Sequence, residues 1–195
     1  MSIAINESFT VNAPVERVWR FLTSPQEVVR CLPGAELTEV LGDREYAGRV
    51  KVRVGPVTAA YAGKATLTEV DDALRQMTLV GEGRETGGSG SAKMTMRGSV
   101  VAHAGGGSDV NVNATIDIAG KVMQFGRGLV QSVSQQLFKQ FVEQARAHLE
   151  TPVAEPQART EDRVPAPPPT APARELRLLP LLWRAVRDWF RSIVR

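Results

Sequence analysis

KVMQFGRGLVQSVSQQLFKQFVEQARAHL, residues 121–149, reads as one long helix. Val122, Phe125, Leu129, Val133, Leu137, Phe141 and Leu149 recur near one face at helical spacing, and Gln, Lys, Glu and Arg take the rest. A helix of this length, closing a segment of about 150 residues, needs a large apolar surface to cover its stripe. The residues before it supply strands for that purpose.

Residues 3–11 alternate Ile3, Ile5, Phe9 and Val11 with Ala4, Asn6, Ser8 and Thr10, the period of a half-buried strand. Ala13-Pro14 then starts a helix through Val15, Val18, Trp19 and Leu22, and a second short helix over 25–32 is stopped by Pro33-Gly34. About six strands follow, at 36–41, 45–54, 57–70, 74–82, 89–104 and 108–119, with Gly, Asp or Asn at most of the breaks. The order of strand, two helices, six strands and long helix predicts an α+β domain over 1–150. Its curved antiparallel sheet of about seven strands wraps the terminal helix.

Strand parity names the side chains that face the helix. One face carries Ala59, Tyr61, Gly63, Ala65 and Leu67, another Met94, Met96, Gly98 and Val100, and a third Val110, Val112, Ala114 and Ile116. Gly63, Ala65, Gly98 and Ala114 are small, so either the helix packs close or an apolar cavity remains. Four methionines, Met77, Met94, Met96 and Met123, fall in the same region, where flexible thioethers suit an adaptable pocket and also serve as ordinary core filler.

The rest of the chain has a different composition. Residues 151–174 hold seven prolines from Pro152 to Pro172 and little apolar bulk, so a disordered linker is expected. In polyproline II form its roughly 25 residues reach up to ~75 Å. An SH3-type ligand is a competing use of the prolines at 165–172.

Residues 175–195 are expected to form a basic amphipathic helix. Leu179, Leu182, Trp183, Val186, Trp189, Phe190 and Ile193 fall in one arc of roughly 140°, with Arg177, Arg184, Arg187, Arg191 and Arg195 opposite. Residues 1–150 carry 16 Lys+Arg and 16 Asp+Glu, and 151–195 carry 8 against 5, so the whole net charge of +3 sits in the tail. Each cation is worth about 1 kcal/mol at an anionic leaflet, and each partly buried apolar side chain about as much. The tail is therefore expected to lie reversibly on an anionic membrane surface. The longest uncharged run, 178–183, is too short to span a bilayer, which takes roughly 20 apolar residues. The same spacing also suits a groove on a partner protein or on the chain's own domain. The start, MSIAINESF, lacks a basic and an apolar region of the secretory kind, and the single Cys31 suits a reducing compartment. The expected location is cytoplasmic, peripherally attached to the inner face of the cytoplasmic membrane.

Catalytic chemistry is sparse. His103 shares parity with Lys93, Thr95 and Arg97 and is expected in solvent; His148 sits at a helix end, where a cation suits the dipole. Neither makes a metal or nucleophile partner for Cys31. Glu7 shares parity with Ile3, Ile5, Phe9 and Val11, so it is either an inward carboxylate with acid–base use or a residue that escapes to the rim or pairs with an arginine. Tyr61 either hydrogen-bonds a ligand or fills space. The glycines of GRETGGSGSAK, 83–93, are not followed by the GK[ST] of a phosphate loop and are expected in a mobile hairpin over a pocket mouth. A neutral domain without an aromatic-basic stripe is not expected to bind nucleic acid.

CLPGAE (31–36), VGPVTAAYAGKATLTEVD (54–71), GEG (81–83), GSGSAK (88–93) and GKVMQFGRGLV (120–130) together resemble the CoxG family, the G component of carbon monoxide dehydrogenase, of the START-like helix-grip superfamily (SRPBCC), over essentially residues 2–148. The resemblance implies a non-enzymatic protein with a helix-grip cavity for a hydrophobic small molecule. Candidate lining residues are Tyr61, Gly63, Ala65, Met77, Met94, Met96, Ala114, Ile116, Met123, Phe125 and Leu129. It further implies recruitment of a molybdenum-containing CO dehydrogenase, or a related molybdenum hydroxylase, to the membrane. The implied cargo is a respiratory quinone (menaquinone or ubiquinone) that takes the enzyme's electrons to the membrane pool. The chain departs from the pattern at Ala119-Gly120-Lys121, where many relatives read GGK, and at Met94, where a glycine is common; both border the expected pocket.

Overall fold

The computed structural model describes residues 1–151. The expected linker, from Pro152 on, and the amphipathic helix with its membrane-facing residues lie outside the described residues. Strand β1 (Ser2–Val11) leads into helices α1 (Val15–Leu22) and α2 (Pro25–Cys31). Strands β2 (Ala35–Val40), β3 (Glu45–Val54), β4 (Val57–Asp71), β5 (Gln76–Glu85), β6 (Ser91–Ala102) and β7 (Ser108–Ala119) follow. A 3-10 turn (Lys121–Phe125) then precedes α3 (Gly126–Glu150).

The seven strands form one antiparallel sheet in the order β1-β7-β6-β5-β4-β3-β2. Strands β2 to β7 are successive hairpins, and β1 closes the far side by pairing with β7, Ser2 opposite Asp117 and Val11 opposite Ser108. Apolar residues alternate with polar ones along β1, so the pairing turns Ile3, Ile5, Phe9 and Val11 to the face on which α3 packs.

The long terminal helix is not continuous from residue 121, contrary to what its apolar spacing suggests. Gly126 takes φ +76°, a left-handed conformation open to glycine, and separates the 3-10 turn from α3. The break rotates the stripe. The buried residues of α3 are Val130, Phe141, Val142, Ala145 and Leu149, while Leu129 is 37% exposed. Four of those five lie in the C-terminal half, where Phe141 meets Phe9 edge-on at 6.3 Å between ring centroids and stacks on Phe21 at 6.4 Å. The helix is thus anchored at its far end, and Val130 is the only fully buried residue of its first half.

Helices α1 and α2 close that anchored end of the sheet. Val18, Trp19, Phe21 and Leu22 are buried, and the Trp19 indole N–H donates to Asp72 in the β4–β5 turn at 2.7 Å. Buried Ser108 Oγ donates to the Ala13 carbonyl at 2.7 Å and ties β7 to the entry of α1.

Candidate functional site

The inner face of the sheet is apolar across its width but filled unevenly. One buried cluster joins Phe9, Val11, Val18, Phe21, Leu67, Met77, Val110 and Phe141 around α1, α2 and the C-terminal half of α3. A second joins Ile3, Val54, Ala59, Tyr61, Val122 and Val130 around the 3-10 turn. Ala65, Met94, Ala114 and Ile116 share the inner face and belong to neither cluster.

Register explains the gap. One cross-strand row runs Ile3, Ile116, Met94, Gly81, Ala65, Tyr46, and the next runs Ile118, Ala92, Gly83, Gly63, Gly48. Glycine and alanine therefore meet side by side on β3 to β6, and this strip of small side chains on the inner face, with Ala65, Met94, Ala114 and Ile116 outside both core clusters, is termed the trough below. Its glycines are not equivalent. A Cβ on Gly63 would strike the Glu82 carbonyl oxygen and come 2.6 Å from Gly83 Cα, so the strands are too close there for any side chain. On Gly81 a Cβ would meet Met94 Cε at 3.6 Å, and on Gly83 it would meet Tyr61 Cβ at 3.6 Å, both ordinary contacts. Over Gly98 the space is taken by Met77, whose Cε would lie 3.1 Å from a Cβ.

One end of the trough is polar. Tyr61 stands opposite Glu85 across the β4–β5 pair, both on the inner side. Tyr46 Oη donates to the Asp43 carbonyl at 3.0 Å, whereas Tyr61 Oη has no partner among the described residues. Burial, and then the Glu85 charge, hold the Tyr61 phenol above its ordinary value. Glu85 is fixed in turn, because Oε2 accepts the Gly90 N–H at 3.0 Å. The glycine-rich hairpin expected over the mouth is pinned by this bond and by the Glu85 N–H to the Gly90 carbonyl at 2.8 Å. Gly120, at φ +109°, packs backbone to backbone on Gly90, where a Cβ would come 2.6 Å from Gly90 Cα. The glycine before Lys121 thus has a steric reason.

Of the residues expected to line a cavity, Ala65, Met94, Ala114 and Ile116 lie in the trough, with Gly63 in its floor and Met96 half-buried beside it. Tyr61 and Phe125 belong to the cluster at its polar end. Three do not lie where expected. Met77 is 6% exposed inside the other cluster. Met123 is 40% exposed on the 3-10 turn, and Leu129, turned outward by the Gly126 break, packs by the β3–β4 hairpin, its Cδ2 3.6 Å from a Cβ built on Gly55. Gly83 and Glu85 were missed because the strand holding them was expected to end at 82, and Gly81, inside it, was assigned to no face. Alternation continued past that point through Met77, Leu79, Gly81, Gly83 and Glu85 would have found them.

The other candidates lie apart from one another. Glu7 sits at the sheet's β1 edge, lining a hollow of about 430 Å³ with Phe9, Phe138, Lys139, Val142 and Arg146. His103 bonds Asp109 at 2.9 Å and His148 bonds Glu27 at 3.3 Å, both exposed. Burial, then Glu27, pushes the Cys31 thiol up, away from the reactive thiolate. A second hollow, of about 760 Å³, is lined mainly by polar residues, among them Arg44, Glu69, Thr78, Arg97 and Asn113, with Val70 and Met77 beside them. Among the described residues no group of His, Cys, Asp and Glu could hold a metal ion, and no helix is long and apolar enough to cross a membrane.

The sequence of residues 8–150 matches the family profile of CoxG, the G component of carbon monoxide dehydrogenase. The chain belongs to the CoxG family. No curated protein sequence matches it significantly. Among solved structures, a conserved protein from Geobacillus kaustophilus superposes with TM-score 0.66 at 18% identity, over 76% of this chain and 95% of that one. The ZhuI aromatase/cyclase from Streptomyces sp. R1128 follows with TM-score 0.55 at 16% identity, over 77% and 94%. A START superfamily protein from Mycobacterium smegmatis gives 0.52 at 12%, over 75% and 97%. These likenesses establish the START-like fold. By its name, CoxG is an accessory component of an oxidoreductase.

Proposed function

We propose that this CoxG chain is a carrier and recruitment protein. Its folded domain holds a hydrophobic small molecule in the trough, docks on a molybdenum-containing CO dehydrogenase or a related molybdenum hydroxylase, and keeps both at the cytoplasmic membrane through its basic tail. The observation that carries the reading is the trough, an apolar surface in the middle of a helix-grip fold that neither core cluster fills. It takes a flat or chain-like apolar body. The Tyr61 hydroxyl, free of protein partners among the described residues, offers a donor at one end, and Glu85 an acceptor.

Those groups fit a respiratory quinone, menaquinone or ubiquinone: isoprenoid against Met94, Ala114 and Ile116, and ring oxygens toward Tyr61. Such a group, when bound, supplies reversible two-electron, two-proton chemistry. The chain's own part is to bind, orient and exclude water. A cyclase-like enzyme is the second reading, favoured by a phenol beside a carboxylate in a trough with the aromatase/cyclase fold.

Organic extraction and mass spectrometry of the full-length protein, purified from quinone-rich cells, tests the carrier reading. About one quinone per chain is the expected result. Quinone no higher than in an unrelated protein purified in parallel would overturn it. Turnover of a polyketide-like substrate that Glu85→Gln abolishes would favour the enzyme. Removing residues 175–195 should leave the cargo in place and abolish co-sedimentation with anionic vesicles; retained sedimentation would refute the tail's role.

A further inference from the structure

The two ends of the trough differ. Helices α1 and α2 plug one with buried Val18, Phe21 and Leu22. The other is bordered by the 3-10 turn, the first turns of α3, the β3–β4 hairpin and the turn before β2, where the Gly34 carbonyl accepts the Lys51 N–H at 2.9 Å, and large apolar side chains lie exposed on these elements. Val50 is on the inner face of β3, cross-strand from Tyr61, yet 36% exposed. Met123 is 40% and Leu129 37% exposed, and a Cβ on Gly126 or Gly128 would meet nothing within 4 Å. Three such side chains on the elements that border one end of the trough expose more apolar surface than one residue alone.

The charges around them are mostly positive. Lys51, Arg53, Lys121 and Arg127 are exposed and form no ion pair among the described residues. Residues 46–57 and 118–142 contain no Asp or Glu. Of the neighbouring carboxylates, Glu36 pairs with Arg49 and Glu45 with Lys64, while Glu85 stays an anion bonded to the Gly90 N–H, so the four cations outnumber it. Although the domain is neutral as a whole, this end is basic.

We infer that the open end of the trough is a lipid-contact surface of the folded domain, seating Val50, Met123 and Leu129 on an anionic bilayer with the four cations against its headgroups. The inference deepens the carrier reading and rests on it for the source of the cargo. It adds a second membrane contact, distinct from the tail, that faces the trough toward the membrane. An apolar cargo then passes between lipid and trough without crossing water. Each cation raises affinity for an anionic surface roughly fivefold, so the tail is left to supply residence and the domain end to supply orientation.

Backbone hydrogen exchange of the full-length protein tests this, with phosphatidylcholine vesicles alone or containing phosphatidylglycerol. Peptides covering 49–57 and 121–130 should exchange roughly tenfold more slowly on anionic vesicles, and those covering the α1–α2 end should not change. The double variant Lys121→Glu/Arg127→Glu should lose that slowing while keeping its melting temperature, its sedimentation through the tail and its extractable cargo. Equal exchange of these peptides with and without anionic vesicles would overturn the inference. So would slowing by a purified molybdenum hydroxylase and none by vesicles, which would make the surface a protein interface. Because cargo is measured separately by extraction, an empty trough with a slowed rim would count against the carrier reading alone.

Discussion

Replacing Gly81 by valine puts three carbons into the trough, and the sign of the stability change reports whether the trough is open. A Cβ there makes ordinary contacts, 3.6 Å to Met94 Cε and 3.9 Å to the Lys64 carbonyl oxygen, so the strand need not move. Gly81 is half-buried and lies in the row with Ala65 and Met94, in neither core cluster. About half of a valine's full burial is worth ~1 kcal/mol. Removing a glycine from a strand interior adds ~0.5–1 kcal/mol. The sum, about 1.5–2 kcal/mol, raises the melting temperature of a domain of this size by roughly 3–8 °C. Overpacking a filled core would instead cost ~1–3 kcal/mol. Calorimetry of delipidated Gly81→Val against the delipidated parent decides between them, with cargo extraction in parallel: the variant should melt higher and bind less. A lower melting temperature with correct secondary structure would refute the claim that this part of the inner face is unfilled. Gly63→Val is the control, since its Cβ strikes the β5 backbone, and it should lose at least ~2 kcal/mol.

Other outcomes follow from single contacts. Ser108→Ala strands the Ala13 carbonyl in a fully buried site and should lower stability by about 1–3 kcal/mol in chemical denaturation with unchanged denaturant dependence; no loss would mean that water or a shift of the chain satisfies the carbonyl. Tyr61 keeps its proton to higher pH when folded than when unfolded, whose value is near 10.0. The unfolded chain therefore releases that proton first, and stability should be independent of this group below pH 10.0 and fall above it. Phenolate absorbance should show a late-titrating tyrosine that Tyr61→Phe removes; an unchanged titration would refute the assignment.

Element order and the strand parities of the inner face were legible in the sequence because alternation between apolar and polar residues is a local signal. Ile3, Met94, Ala114 and Ile116 face inward as that signal requires. What a single strand cannot show is its neighbour's register. Gly63 and Gly81 look alike in sequence, but Gly63 lies opposite another glycine, with the β5 backbone pressed close, and Gly81 lies between Ala65 and Met94. The Gly126 break was hidden for a related reason. A glycine within a helical pattern is usually tolerated, so nothing local announced its left-handed φ or the outward turn of Leu129 that follows.

The pairing of β1 with β7 sets an order of assembly. Strands β2 to β7 can zip up hairpin by hairpin as they leave the ribosome, each closing a short loop. Strand β1 is made first and cannot pair until Ser108–Ala119 exists, and Phe9 cannot be covered until Phe138 and Phe141 follow. Throughout that interval Ile3, Ile5, Phe9 and Val11 form an apolar, unpaired strand. Crowded expression should therefore favour capture of one chain's β1 by another chain's β7, a strand-exchanged dimer. Size-exclusion chromatography should show less of that dimer after slower synthesis at lower temperature.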